Sequence, residues 1–481
     1  MNVSRIDYKW TALVAVATGI LMLTLDEGSV RIILPALGTA FEATVDDVVW
    51  VWLIYLLIGA GLVLALGRIG DAFGRKRIYT GGLVLFTIGL ALSAVAPGLA
   101  ELIAFRAVQA VGAAMVVAMA NAIVTASFPA QERGRALGIM ATVVSVGLLG
   151  GPAIGGALVD WLGWRSVFYA RIPVCILAIG LAIFLLRKDP LSRRDRGFDI
   201  AGATTLFLGL ASILVAINRG QSAGWTSPLV LGLVALGIVL LGGFVRIERK
   251  AADPVLDLSL FSGRVFASAS VTHALFYIST ISVRFVLPYF LLLGLSLPAT
   301  TAGLLLAVIP GARALLSPLS GRLSDRTGAW VLTSSGVAVV GAGVLLMLTL
   351  DSDATTMDLV PLLAIVGIGV GLFVAPNTST IMGCVSKDRL GTASAMVATT
   401  RQIGSSLGLA VAGMVFTHTK LVHAGDLLAQ GVPPGLVETQ SIVAGFRTTL
   451  VASLVFALAG LLVMLLVGRT RPTDERQQAN L

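Results

Sequence analysis

The chain has 481 residues, 57% of them hydrophobic and only 12% charged, where soluble domains carry about a quarter charged residues. With a mean hydropathy of +0.94, this excludes a water-soluble enzyme or signalling domain as the bulk of the chain. The net charge of +9 does not indicate a nucleic-acid binder, because Lys and Arg sit between apolar runs rather than beside aromatics on one polar face.

Apolar runs of about 20 residues, the length that crosses a hydrocarbon core of about 30 Å, recur along the chain. They predict helices at 11–35, 48–66, 78–97, 99–127, 136–160 and 166–186, a first block of six. The first run ends without a small-residue cleavage site and carries Asp26, Glu27 and Arg31, so it is expected to stay as a membrane helix and not to be removed as a leader. A basic connection, Arg187 to Asp199, leads to a pair at 200–217 and 226–246 joined by the turn-like Asn218-Arg219-Gly220. After the polar stretch from Arg246 to Arg264, a second block follows at 265–292, 300–320, 330–350, 359–385, 391–417 and 444–468. The segment 418–443, with His418, His423, Pro433 and Pro434, reads as an outer loop.

The expected fold is an all-α polytopic membrane protein of about fourteen transmembrane helices. Its parts are an N-terminal six-helix bundle over 1–198, a two-helix insert over 199–250, a C-terminal six-helix bundle over 251–468 and a disordered cytoplasmic tail over 469–481. Basic residues are retained on the cytoplasmic side, and connections expected inside hold about two dozen of them against about four outside. Arg75, Lys76, Arg77, Arg193, Arg194, Arg249, Lys250, Arg322 and Lys387 belong to the inner set. Both termini are therefore expected in the cytoplasm and the chain in the plasma membrane. Cys175 and Cys384 have no spacing partner, and no nucleophile–base or metal-ligand cluster is visible, so no disulfide, metal, cofactor or enzymatic activity is expected.

The stretch Gly67-Arg68-Ile69-Gly70-Asp71-Ala72-Phe73-Gly74 after the second predicted helix is echoed by Gly321-Arg322-Leu323-Ser324-Asp325-Arg326-Thr327-Gly328 after the tenth. Duplicated halves with a site between them are a recurrent transporter plan, because rocking one half against the other exposes that site to each side in turn. The run from Gly67 to Arg77 also makes sense as a tight turn, its glycines permitting positive φ around a carboxylate amid cations.

That run resembles the signature loop of the major facilitator superfamily, and the six-two-six layout resembles its fourteen-helix drug:proton antiporter branch. In the fourth predicted helix, Leu102-Ile103-Ala104-Phe105-Arg106-Ala107-Val108-Gln109-Ala110-Val111-Gly112 resembles the family's second motif, which implies a proton-coupling role for Arg106. In the fifth, Gly147, Gly151, Pro152, Gly155 and Gly156 resemble the antiporter motif Gly-x-x-x-Gly-Pro-x-x-Gly-Gly. Glycines four apart make a flat stripe for close helix approach, and the proline bends the helix. Arg401-Gln402-Ile403-Gly404-Ser405 is also typical of the branch and makes Arg401 a candidate by resemblance. The resemblance further implies a cytoplasmic gate of Gly67, Asp71, Gly74, Arg75 and Asp325, in which Asp71 meets the positive helix end near Gly391.

A charge at the bilayer centre costs about 2.5–3.5 kcal/mol on insertion scales, so each one in a predicted span is a candidate. Asp26 and Glu27 are read as proton-coupling or substrate residues. The cavity-lining candidates are Arg31, Arg171, His273, Tyr277, Arg284, Arg313 and Arg401, of which His273, Tyr277 and Arg284 share one helical face with Pro288. For Arg31 and Arg171, snorkelling to headgroups stands beside a substrate role, and Glu27 and Arg31 are spaced to pair on one face. In the family pattern the first helix reads Leu-Asp-x-Thr-Ile-Val-Asn, whereas here Arg31 stands for the asparagine, and Arg171 stands for another before the sixth-helix proline. The excess of cations points away from lipophilic cations as substrates.

The expected function is a proton-coupled exporter of amphipathic small molecules working by alternating access, with anionic substrates favoured over cations. The alternative is a transporter of an anionic metabolite, lipid-like molecule or nutrient, and a remote one is a non-transporting receptor or scaffold. The expected partners are a small-molecule substrate, protons and the lipid bilayer, without nucleic acid, for a monomer.

Overall fold

The computed structural model describes residues 7–128, 133–187, 200–250, 258–384 and 390–467. In chain order the helices are α1 (Tyr8–Ala40), α2 (Val45–Val48), α3 (Trp50–Phe73), α4 (Arg75–Ala94), α5 (Leu99–Ser127), α6 (Arg133–Leu162), α7 (Ser166–Tyr169) and α8 (Ile172–Leu185). They continue as α9 (Ile200–Ala223), α10 (Pro228–Glu248), α11 (Arg264–Tyr289), α12 (Ala299–Thr327), α13 (Ala329–Met347), α14 (Thr356–Gly383), α15 (Leu390–Ala429) and α16 (Pro434–Val467). Among the described residues, thirteen helical spans are long and apolar enough to cross a membrane, and the shorter apolar stretch Thr204–Gly220 of α9 adds to them.

Three boundaries differ from the sequence expectation. Asn218-Arg219-Gly220 is not a turn, because α9 runs on to Ala223 and ends at Gly224, whose φ of +86° is the left-handed conformation that stops a helix. The segment 418–443 is not a loop. α15 continues to Ala429 and α16 starts at Pro434, so His418 and His423 are helical and the break is confined to the residues around Gly431, with φ +75°. Leucine and alanine carry the helix past the apolar run until a glycine and two prolines end it. The span at 166–186 is broken between α7 and α8, where Pro173 in the first turn of α8 supplies no N–H to continue the ladder.

The chain divides into two compact units, one up to Phe207 and one from Leu208, with the division inside α9. Each repeats one pairing scheme. In the first, α1 packs on α6 and α8, and α5 on both α3 and α4; in the second, α11 packs on α15 and α16, and α14 on both α12 and α13.

Glycines at matching places set both schemes. A Cβ on Gly112 would meet the Gly82 carbonyl at 2.6 Å, and one on Gly369 would meet the Gly336 carbonyl at 2.8 Å, so α4–α5 and α13–α14 touch backbone to backbone. Gly74 (φ +98°) turns α3 into α4 and Gly328 (φ +88°) turns α12 into α13, each giving its N–H to the carbonyl four residues back. Gly67, Asp71 and Asp325 lie in these helices, but the surroundings of Gly67 and Gly391, the side chains of Asp71 and Asp325 and the tail 469–481 lie outside the described residues.

The stripe of α6 seats α1. A Cβ on Gly147 would collide with Thr24 Oγ1, and Cβ atoms on Gly151 and Gly155 would meet Gly28 Cα at 2.8 Å and Ser29 Cβ at 2.9 Å. Gly156 is buried and Pro152 packs against Gly28. Gly151→Ala is expected to cost about 1–3 kcal/mol, the usual range for overpacking, because the obstructing atoms are backbone. Thermal unfolding of the detergent-purified protein checks this: Gly151→Ala should lower Tm by several degrees while Gly180→Ala, whose Cβ meets nothing within 4 Å, should not.

Candidate functional site

The turn of α1 that α6 holds most closely carries Asp26, which is 0% exposed. Its Oδ2 accepts from Arg106 Nη1 of α5 at 2.7 Å and its Oδ1 from Arg171 Nη1 at 2.5 Å. Arg171 is the residue at the α7–α8 break, and its Nε donates to the Val167 carbonyl at 2.6 Å. Arg106 is equally enclosed: Nη1 also donates to Gln109 Oε1 at 2.6 Å, Nε to the Val51 carbonyl of α3 at 3.2 Å, and the guanidinium lies 4.7 Å from the Tyr55 ring centre. Ser29, one turn on, donates to the Gly151 carbonyl at 2.8 Å and so fixes the α1–α6 register beside the cluster.

The consequence is electrostatic. Two guanidiniums face one carboxylate in a buried place, which leaves the cluster with an excess positive charge. Three buried donors around it, Arg171 Nη2, Gln109 Nε2 and Trp52 Nε1, have no hydrogen-bond partner. Arg31 is buried over Trp52, 5.7 Å from its ring centre, and its Nε donates to the Glu27 backbone carbonyl at 3.1 Å rather than to the carboxylate. Glu27 itself is half-buried. Arg75 of the gate set donates to the Ala122 carbonyl at 3.5 Å.

In the second unit, His273 and Tyr277 are both buried and their rings meet edge to face at 4.9 Å, with Phe373 stacked on His273. Arg284 and Arg313 are half-buried and Arg401 is exposed. Of the sequence candidates, the structure thus brings Asp26, Arg106 and Arg171 into one cluster and sets Glu27 and Arg31 beside it.

Sequence reasoning missed Gln109, Tyr55 and Trp52. Gln109 is legible from its spacing of three from Arg106 on one helix; the α3 aromatics are not, since only packing brings them there. It also missed a register that the two units share. Ser282 donates to the Gly408 carbonyl at 3.2 Å as Ser29 does to that of Gly151, and each serine is followed two residues on by an arginine and six on by a helix-internal proline. Arg31 and Arg284 are therefore repeat equivalents. Asp26 corresponds to Ser279 and, counting from Gly112 and Gly369, Arg106 corresponds to Leu363, so this cluster belongs to the first repeat.

A family model described as Major Facilitator Superfamily matches residues 16–409. The chain belongs to that superfamily. It is a multi-pass membrane transporter and not an enzyme. Among relatives in this superfamily, the riboflavin transporter RibZ of Clostridioides difficile is 33% identical over 85% of this chain and 89% of its own. The multidrug resistance protein Stp of Mycobacterium tuberculosis is 33% identical over 84% and 75% respectively. A solved bacterial homologue of the human lysosomal transporter Spinster, inward-facing and unoccupied, shares the major facilitator fold with TM-score 0.70 at 18% identity, covering 96% of this chain and 97% of its own.

Breaking a buried ion pair by removing one partner costs about 3–5 kcal/mol, since the other charge is left uncompensated. Asp26→Asn is expected to lose about that much, and Asp26→Asn combined with Arg171→Gln to lose less than the sum of the two single changes. Unfolding of the micellar protein by SDS titration reads both, and strict additivity would contradict the coupling.

Proposed function

We propose that this transporter is a proton-coupled exporter of amphipathic small molecules, favouring those that carry a carboxylate or other anionic group. The observation that carries this reading is the Asp26 carboxylate held between Arg106 and Arg171. One proton on that carboxylate removes the charge that both guanidiniums face and loosens α1 from α5 and α8 together. Proton occupancy then biases a conformational equilibrium, which is the requirement for coupling. Substrate bound in the conformation that the deprotonated cluster favours would exchange against protons. The excess of cations supports an anionic group on the substrate, because a second positive charge would have to enter beside unneutralised guanidiniums. Relatives named for multidrug resistance, puromycin resistance and tetracenomycin C export support an exporter of amphipathic molecules.

A second reading has its own observation. The unpartnered Arg171 Nη2 beside the Asp26 bond offers a donor to a substrate anion, which would displace the carboxylate and leave it to take up the proton. Proton and anion would then travel together, as in a transporter of an anionic metabolite. The riboflavin transporter among the relatives is in keeping with this.

Proteoliposomes with an imposed pH gradient separate the two. Export by exchange predicts substrate accumulation on the acidic side and co-transport predicts it on the alkaline side. Asp26→Asn should abolish gradient-driven accumulation while leaving downhill flux measurable. Proton-driven accumulation retained in Asp26→Asn would remove Asp26 from the coupling.

A further inference from the structure

A groove of about 610 Å³ runs along α4 and is bounded on one side by α8. Lys76 and Arg77 stand at its head, in the first turn of α4, while Val84, Ile88 and Ile183 form apolar walls that are 39%, 47% and 47% exposed. From Lys76 to Ile88 the helix rises about 18 Å, close to the hydrocarbon depth of one leaflet, about 15 Å.

Two further observations concern polar atoms at the head. The Lys76 ammonium donates to the carbonyls of Ile183, at 2.6 Å, and Leu186, acceptors left over at the end of α8. That fixes the ammonium over the mouth with a third N–H to give. Thr80 lines the same groove, and its hydroxyl is shielded from solvent without a hydrogen-bond partner. Thr18, Thr24 and Thr87 in the same unit each give theirs to the carbonyl four residues back.

We infer that the groove holds an anionic glycerophospholipid of the leaflet that meets the start of α4. The phosphodiester sits on Lys76 and Arg77, and one acyl chain runs along Val84, Ile88 and Ile183. A free phosphate would have no use for apolar walls of leaflet depth. A zwitterionic lipid would bring the same phosphodiester but set its own ammonium group beside the two cations.

Native mass spectrometry of the delipidated full chain, titrated with phosphatidylglycerol or phosphatidylcholine, tests this. Wild type should retain one phosphatidylglycerol in preference to phosphatidylcholine. Arg77→Gln should weaken retention about fivefold, and Lys76→Gln with Arg77→Gln up to about thirtyfold, as expected for one and two cations at a membrane surface. Val84→Trp, which fills the groove without altering charge, should weaken it as well, and Leu236→Trp on the exposed face of α10 should not. Equal retention of the two lipids, or retention unchanged in both Arg77→Gln and Val84→Trp, overturns the proposal. So does a loss confined to variants that remove Lys76, with Arg77→Gln and Val84→Trp both unaffected, since that lysine also ties α4 to α8.

Discussion

A carboxylate out of contact with water is tolerable in a bilayer only when the fold itself supplies its counter-charge, and Asp26 obtains it from two helices at once. Arg106 on α5 and Arg171 at the α7–α8 break each take one oxygen. Gln109, the Val51 carbonyl and the Tyr55 ring also hold Arg106, and the Val167 carbonyl holds Arg171, but those partners are neutral, so the carboxylate is the one counter-charge that both guanidiniums touch. Three helices of the first unit are thereby held through one titratable group.

That arrangement needs α1 to be placed with little freedom, and the small residues do this. Gly147, Gly151 and Gly155 leave the α6 face flat where Thr24, Gly28 and Ser29 of α1 lie on it, and Ser29 pins the register through the Gly151 carbonyl. Pro173 breaks the following span at the residue that must turn toward Asp26. Packing and electrostatics are thus one device: close approach lets the charges meet, and their attraction holds the close approach.

The two units share a pairing scheme and a register, yet not their chemistry. Arg31 and Arg284 are equivalent by position, whereas Asp26 and Arg106 correspond to Ser279 and Leu363 in the other repeat. Ser279 there makes a neutral bond to Ser453 at 2.9 Å. Duplication supplied a common scaffold, and the ion cluster was built into the first copy.

The sequence alone determined the membrane class and the superfamily, and it singled out Asp26, Arg106 and Arg171 as separate candidates, because apolar run length, repeated glycine punctuation and the rarity of membrane charges are local or compositional signals. It misplaced the ends of α9 and α15, since Asn218-Arg219-Gly220 and the histidine-bearing stretch carry turn-like or polar residues that a helix accommodates at small cost. Only the tertiary structure decided that Arg171, 145 positions from Asp26 in the chain, shares that carboxylate with Arg106, and that Arg31 bonds a backbone carbonyl instead of Glu27's side chain. Which charges meet across helices depends on the rotation and closeness of each pair, and those are set by glycine contacts that helical spacing within one segment does not encode.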